Sequence, residues 1–213
     1  AVRRLLHPEQ ERERLALETI EATGREAAGT PAVILETGLG GSSAGWGFVQ
    51  PEVATFTRVC SYDRAGMGFS DPGPSPRTAR RIARELAKLL ERTDVGGPFV
   101  LVGASIGAFP LRVFASEHPD DAAGLVLVDA SHEDQRHEVP VLAPIGIFRL
   151  FGVSFGLDLR SLAPPVRPFA QATRFRTSGY LAAADEIIHV RESAAEVRES
   201  RHKLAVPVVV VSG

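Results

Sequence analysis

The sequence contains a single cysteine, Cys60, among its 213 residues. One cysteine cannot form an intramolecular disulfide, and its position in an apolar run predicts a buried small side chain rather than a reactive thiol. An excess of one charge is also lacking, because 24 Lys and Arg residues stand against 26 Asp and Glu residues. This near-neutral balance gives no support for a nucleic-acid partner or for binding to an anionic membrane.

Long apolar runs and metal-ligand spacings are missing as well. No run reaches the ~18 apolar residues of a membrane span, and the charged first residues lack the apolar core of a signal peptide. These absences predict no membrane span, and we interpret the protein as cytoplasmic. No His, Cys or Asp cluster has the spacing of a metal site, so we expect no metal.

The most informative stretch, residues 99–117, reads FVLVGASIGAFPLRVFASE. Its apolar start predicts a strand, and the apolar spacing after the glycine-rich turn predicts a helix. Ser105 lies at the apex of a Gly-x-Ser-x-Gly turn, the pattern of a nucleophile elbow. Gly103 and Gly107 leave room where side chains would collide in so sharp a turn. A tight turn with a capping serine is the alternative, but the flanking strand and helix favour a nucleophile.

Alternating strands and helices organise the rest of the chain. We expect an edge strand near residues 14–22 and apolar strands at 32–36, 57–62, 99–102, 125–128 and 206–212. The last of them has the sequence of a buried strand, and we expect it to be left as an open edge of the sheet. Ser75 can cap a helix that has Pro76 at its first position. This order predicts an α/β fold with a doubly wound, mostly parallel sheet, whose reactive groups lie at the carboxyl ends of the strands.

Residues 133–205 differ in sequence pattern from the rest of the chain, because they contain no strand-like apolar run. They predict a helical lid or cap insertion with an apolar underside, which favours a hydrophobic acyl or small aromatic substrate. The chain then divides into a first part of the core at residues 1–132, the lid at 133–205 and a core strand at 206–213. Because it starts without methionine and stops after a strand, we expect the remainder of the core beyond Gly213.

The glycine-rich loop at residues 37–43 follows the first apolar strand. It lacks the Gly-Lys-Ser/Thr ending of a phosphate-binding loop and the Gly-x-Gly-x-x-Gly pattern, so a loop bringing backbone N–H groups to a reaction centre fits better. Asp63 and Arg64 end the next strand, and we expect them to hold their turn by ion pairing and backbone hydrogen bonds.

Four motifs in this order resemble the α/β-hydrolase superfamily: ETGLGGSSAGW at 36–46, YDRAGMGFSD at 62–71, GASIG at 103–107 and GLVLVDASH at 124–132. The resemblance implies that Ser105 is the nucleophile. It also implies that the backbone N–H groups of Leu39 and Ile106 form the oxyanion hole, and it implies no cofactor. Thr37 and Ala104 depart from the family, which often has histidine at both positions, but neither change removes a backbone donor.

The rest of the catalytic triad is not evident in the sequence. The family order is Ser, then Asp or Glu, then His, which implies an acid a few residues past Gly213 and a histidine after one further strand. Asp129, at a strand end, is a less favoured alternative acid. Four histidines that follow are interpreted as surface residues: His132, His137, His189 and His202.

The function that this resemblance implies is a serine hydrolase acting on a small-molecule ester or similar acyl substrate. A non-catalytic binding module on the same fold stays open, because fold does not fix function. An acyltransferase, a C–C hydrolase or a haloperoxidase-like variant also stays open. The oligomeric state and the substrate's identity do not follow from the sequence.

Overall fold

A twisted sheet of six strands forms the centre of the computed structural model, which describes residues 19–24, 29–135, 159–201 and 204–212. The spatial order is β1-β3-β2-β4-β5-β6. β1 runs antiparallel to β3 at one edge, and the other pairs are parallel, which confirms the α/β prediction. The strands are β1 (Thr19–Thr23), β2 (Ala32–Glu36), β3 (Val59–Asp63), β4 (Phe99–Ala104), β5 (Ala122–Val128) and β6 (Val208–Val211).

Helices connect and cover these strands. They are α1 (Val49–Val53), α2 (Ala79–Glu91), α3 (Ala108–Glu117), α4 (Arg167–Thr173), α5 (Thr177–Ile188) and α6 (Val190–Ser200). The predicted cap of α2 is wrong, because Thr78 and not Ser75 accepts the hydrogen bond of the Arg81 N–H. The Ser75 hydroxyl instead donates to Asp185 on α5 at 2.9 Å.

The sheet buries side chains on both faces, as a doubly wound fold requires. Consecutive residues of a strand point to opposite faces, so Ala32 and Ile34 join the larger core with α2, α3 and α6. Val33 and Leu35 pack on the opposite face, against Trp46. β2 is therefore covered on both faces of the sheet, and the glycine-rich loop begins where this covered strand ends.

The end of the predicted insertion contributes to the main core. Val190, Ala194 and Val197 of α6 are buried in the same cluster as α2 and α3. This side of α6 repeats at helical spacing, so it behaves as an amphipathic layer helix. The division into core and lid stays a prediction, and residues 136–158 of the predicted lid lie outside the described residues.

Two strand predictions concern burial. Cys60 in β3 is fully buried, as expected, and burial raises the pKa of its thiol to about 11. β6 has the buried-type sequence predicted for it and lies at an open edge, also as expected, so Val208–Val211 are 45 to 67% exposed. β6 pairs with β5 on one side only and is the edge of the described sheet. An apolar run predicts a strand, but it does not say what covers it.

The described helices include none with the length and apolar character needed to cross a bilayer.

Candidate active site

Ser105 lies in the tight turn between β4 and α3. Its φ angle is +51°, in the left-handed region that residues other than glycine rarely adopt. A 3-10 turn, Ser105–Gly107, leads directly into α3, and the serine side chain is exposed. This is the strand, strained turn and helix expected of a nucleophile elbow. The role of Ser105 as a nucleophile stays a prediction.

The glycines of the elbow are required by close packing of the backbone. A Cβ on Gly103 would lie 2.8 Å from the Cα of Ala108 in α3. A Cβ on Gly107 would lie 2.9 Å from the carbonyl carbon of Thr37, and its oxygen would be closer still. Real Cβ atoms do not approach backbone so closely. The turn can therefore be this sharp, and this near the glycine-rich loop, only without side chains at both positions.

The oxyanion loop, as we call residues 37–43, lies directly beside Ser105. A Cβ built on Gly38 would be 3.1 Å from the Cβ of Ser105 and 3.7 Å from its Oγ. Leu39, the predicted second oxyanion donor, is the next residue, and its side chain packs against Met67 and two alanines of α5. The first predicted donor, Ile106, follows the serine within the 3-10 turn. The structure thus brings both predicted donor segments to the serine.

Asp63 holds its own turn, in agreement with the expected structural role. Its Oδ1 accepts the Ser43 N–H at 2.8 Å, and its Oδ2 accepts the Phe69 N–H at 3.3 Å. The Ser70 hydroxyl donates to its backbone oxygen at 2.7 Å. One carboxylate therefore ties the end of the oxyanion loop to the 62–71 turn. Gly68, with a φ of +48°, leaves the space that this carboxylate occupies.

Arg64 does more than the expected ion pairing within that turn. It is buried and contacts Glu36 at the end of β2 (Nη1–Oε1 2.6 Å) and Glu186 on α5 (Nε–Oε1 3.0 Å). It also donates to the carbonyl oxygens of Thr37 and Gly38, in the oxyanion loop. Sequence reasoning missed this cluster. The available signal was Glu36, a charged residue closing an otherwise apolar strand.

The Glu36 carboxyl group is fully buried and has an unusual pKa. Burial raises its pKa to about 7, while Arg64 and the hydrogen bond from the Tyr62 hydroxyl oppose this shift and Glu186 adds to it. The Arg64 guanidinium binds two buried carboxyl groups, and it binds Glu186 through two parallel hydrogen bonds. The Glu36 carboxyl group therefore keeps its proton at pH values where an exposed carboxyl group has lost it.

We expect the unfolding free energy to fall as the pH rises from about 4.5 to about 7. The folded state keeps the Glu36 proton over this range and the unfolded state releases it, so raising the pH favours unfolding. The contribution is on the order of 1–3 kcal/mol. Urea unfolding of the wild type and of Glu36→Gln at pH 5 and pH 8 measures it, since the amide cannot titrate.

The matched control for this pH dependence is Glu52→Gln, which changes an exposed carboxyl group on α1. Its stability difference between pH 5 and pH 8 should equal that of the wild type. An equal difference in Glu36→Gln as well would contradict the raised pKa.

The residues considered for the triad are placed around β5 and α5. Asp129 follows β5 with a φ of +42°, and its exposed carboxylate makes no ion pair or hydrogen bond with a histidine of the described chain. The next loop touches the elbow, because the Ser131 N–H donates to the Ser105 carbonyl at 3.1 Å. His189 pairs with Asp185 at 3.1 Å. The predicted triad order therefore stays untested, and His137 and His202 lie outside the described residues.

His132, Glu133 and Asp134 form the one group in the described ranges whose side chains come close enough to share a cation. Both carboxylates already have cationic partners. Arg112 binds Glu133 at 2.5 and 2.9 Å and holds the pKa of that carboxyl at about 2, and Arg198 binds Asp134 at 2.8 Å. These pairs join α3 and α6 to the loop after β5, which is a structural use of the acids.

A mostly parallel sheet with a serine at a strained strand-to-helix turn, facing a glycine-rich loop, defines the class of α/β proteins with a nucleophile elbow. The family profile described as alpha/beta hydrolase fold matches residues 31–187. The chain belongs to this family.

Particular relatives agree with this assignment. An uncharacterized protein of Schizosaccharomyces pombe, C23C11.06c, is 36% identical over 119 residues, which are 50% of this chain and 22% of that protein. The chain spans less than half the length of the first curated relatives it matches. Among solved structures, Cfl2 from Burkholderia cenocepacia has a TM-score of 0.72 at 23% identity, covering 91% of this chain and 74% of that one.

A second solved structure, the enol-lactonase from Burkholderia xenovorans LB400, has a TM-score of 0.65 at 20% identity. The match covers 92% of this chain and 77% of that chain. At this identity the likeness is evidence for the fold and not for the reaction.

Proposed function

We propose that this protein is a serine hydrolase that cleaves a small-molecule ester or similar acyl substrate through an acyl-enzyme on Ser105. The observation that carries the proposal is the exposed Ser105 hydroxyl at φ +51°, with the Gly38 backbone packed beside it. Strain of this kind costs about 1–3 kcal/mol and persists where function needs the geometry.

The proposed reaction uses the two backbone donors that flank the serine. Ser105 Oγ attacks the substrate carbonyl carbon while a histidine accepts its proton. The N–H groups of Leu39 and Ile106 stabilise the negative oxygen of the tetrahedral intermediate. The bond to the leaving alcohol then breaks, and the histidine returns the proton to it. Water attacks the acyl-enzyme in the same way and releases the acid.

Covalent labelling separates this proposal from a non-catalytic binding module. The full-length protein is treated with a fluorophosphonate probe and digested, and the modified peptide is identified by mass spectrometry. We expect the adduct on Ser105, because only an activated hydroxyl displaces fluoride at a useful rate. Turnover of p-nitrophenyl esters then distinguishes a hydrolase from an acyltransferase, which needs an added acceptor.

Ser131 provides the internal control for this labelling, since it lies on the loop next to the elbow. It should remain unlabelled in the same digest. A folded full-length protein with no adduct on Ser105 and no ester turnover would overturn the proposed hydrolase and favour the binding module.

A further inference from the structure

We propose that Arg64 is the positioning residue of the oxyanion hole and that Glu186 on α5 holds Arg64 in place. The inference rests on the proposed hydrolase function. It assigns a role to a buried charge cluster that the proposed reaction does not otherwise use. The cluster joins three segments that are distant in the sequence: the start of the oxyanion loop, the 62–71 turn and α5.

Every donor of the Arg64 guanidinium has an acceptor. Nε donates to Glu186 Oε1 at 3.0 Å, and Nη2 donates to Glu186 Oε2 at 3.0 Å and to the Gly38 oxygen at 2.9 Å. Nη1 donates to Glu36 Oε1 at 2.6 Å and to the Thr37 oxygen at 2.7 Å. Arginine has five N–H groups in a rigid plane, so five acceptors leave the side chain one orientation.

The two carbonyl contacts determine where the candidate oxyanion donor points. The carbonyl of Gly38 and the N–H of Leu39 belong to the same peptide unit. That unit is planar and trans, so its C=O and N–H point in opposite directions. Arg64 holds the oxygen end, and the Leu39 N–H is thereby aimed away from the guanidinium. The contact to Thr37 fixes the preceding peptide in the same way.

The charge of Arg64 also strengthens the donor. A cation at the carbonyl oxygen polarises the peptide and makes its N–H a better hydrogen-bond donor, and burial leaves this effect unscreened by water. Arg64 is only 2% exposed and Glu186 only 4%. The Arg64 side chain therefore acts on the oxyanion through one peptide unit without touching substrate.

α5 anchors the same loop a second time. The side chain of Leu39 packs with Met67, Ala182 and Ala183, so the candidate oxyanion donor packs against α5. Glu186 lies one turn further along the same buried face of the helix. An apolar contact and an ion pair from one helix thus hold both sides of the Gly38–Leu39 peptide, and α5 sets the geometry of the hole.

The test compares Arg64→Lys and Glu186→Gln with the wild type in the full-length protein, using a p-nitrophenyl ester and the corresponding thionoester. Sulfur is a weaker hydrogen-bond acceptor than oxygen, so the ester-to-thionoester rate ratio reports on the oxyanion hole. Lysine supplies one ammonium in place of the five-donor fork. We expect kcat on the ester to fall about 10²-fold with KM changed less than threefold, and the rate ratio to fall with it. Glu186→Gln should also lower kcat on the ester and the rate ratio, but by a smaller factor.

Arg112→Lys is the matched control. Arg112 is largely buried and pairs with Glu133 through both terminal nitrogens, but it makes no hydrogen bond to the oxyanion loop and no ion pair with Glu36 or Glu186. Its melting temperature should fall as in Arg64→Lys while its rate ratio stays at the wild-type value. If Arg64→Lys fails to fold, Glu186→Gln still decides the question.

Two results overturn the inference in distinguishable ways. An active wild type with an unchanged rate ratio in both cluster variants, or with the same fall in Arg112→Lys, removes the positioning role and leaves the hydrolase intact. A folded wild type with no turnover that depends on Ser105 removes the proposed function itself, and with it the oxyanion hole.

Discussion

Ser105→Ala is expected to lower ester turnover by about 10⁴-fold or more in the full-length protein. The methyl group cannot attack a carbonyl, and the hydroxyl of the elbow has no substitute in the reaction. The side chain is exposed, so its removal leaves no cavity in the core. Turnover of p-nitrophenyl acetate and urea unfolding of the same preparation measure the two effects, and the unfolding free energy should stay close to that of the wild type.

Ser105→Gly separates the strain at this position from the chemistry. Both variants lack the hydroxyl, but only glycine adopts a φ of +51° without the penalty of a Cβ. We therefore expect the glycine variant to be as inactive as the alanine variant and more stable than it by about 1 kcal/mol. The wild type would then be less stable than an inactive variant of itself, as expected where function maintains a strained backbone.

The outcome that contradicts this prediction is ester turnover within tenfold of the wild type in either variant, which would remove Ser105 as the nucleophile. Asp129→Asn is the companion experiment. We expect it to retain turnover, because the acid is expected elsewhere in the triad order. Turnover lost in Asp129→Asn, with Ser105 still required, would identify Asp129 as the acid.

The order along the chain of β2 to β6 could be predicted because each of these strands is a largely apolar run bounded by turn residues. β2 and β4 are buried by their neighbours, and so their sequences contain the information that places them. The elbow was equally visible, since the glycine at 103 is a steric requirement of the turn itself, where a Cβ would meet Ala108. A feature whose cause lies in neighbouring residues can be recognised from the local sequence.

The contacts that hold the oxyanion loop could not be predicted, because their partners are distant in the sequence. Arg64 and Glu186 are 122 residues apart, and no pattern in either segment points to the other. The cap of α2 failed for a related reason. Ser75 had the right residue type, but its hydroxyl binds Asp185 on α5, which the sequence around residue 75 does not reveal.

The burial of an element also depends on what lies against it. The apolar runs of β6 and β2 read alike, yet β2 has a neighbouring strand on each side and β6 has one only on the β5 side of the described sheet. Conversely, α6 lies in a stretch that predicts a lid, and its Val190, Ala194 and Val197 complete the core between α2 and α3. Hydrophobicity predicts that a face must be covered, and the topology decides by what.

Gly107→Ala is expected to destabilise the protein by about 3 kcal/mol or more and to remove its activity. The φ and ψ angles of Gly107 are −62° and −17°, which alanine adopts readily. The penalty is therefore steric, because the new Cβ would lie 2.9 Å from the Thr37 carbonyl carbon in the oxyanion loop and 3.0 Å from Glu36 Cγ at the end of β2. Backbone on both sides must move apart. Urea unfolding and ester turnover measure the result.

Gly96→Ala is the matched control, because Gly96 is exposed, has no positive φ and would place its Cβ more than 4 Å from other atoms. Its stability should lie within about 0.5 kcal/mol of the wild type. The Thr37 oxygen that Gly107→Ala would displace also accepts a hydrogen bond from Arg64, so the substitution would strain or break that bond as well. Gly107→Ala with wild-type stability and turnover would show that α3 and the oxyanion loop do not pack this closely, and the argument for backbone donors at Ser105 would lose its geometric basis.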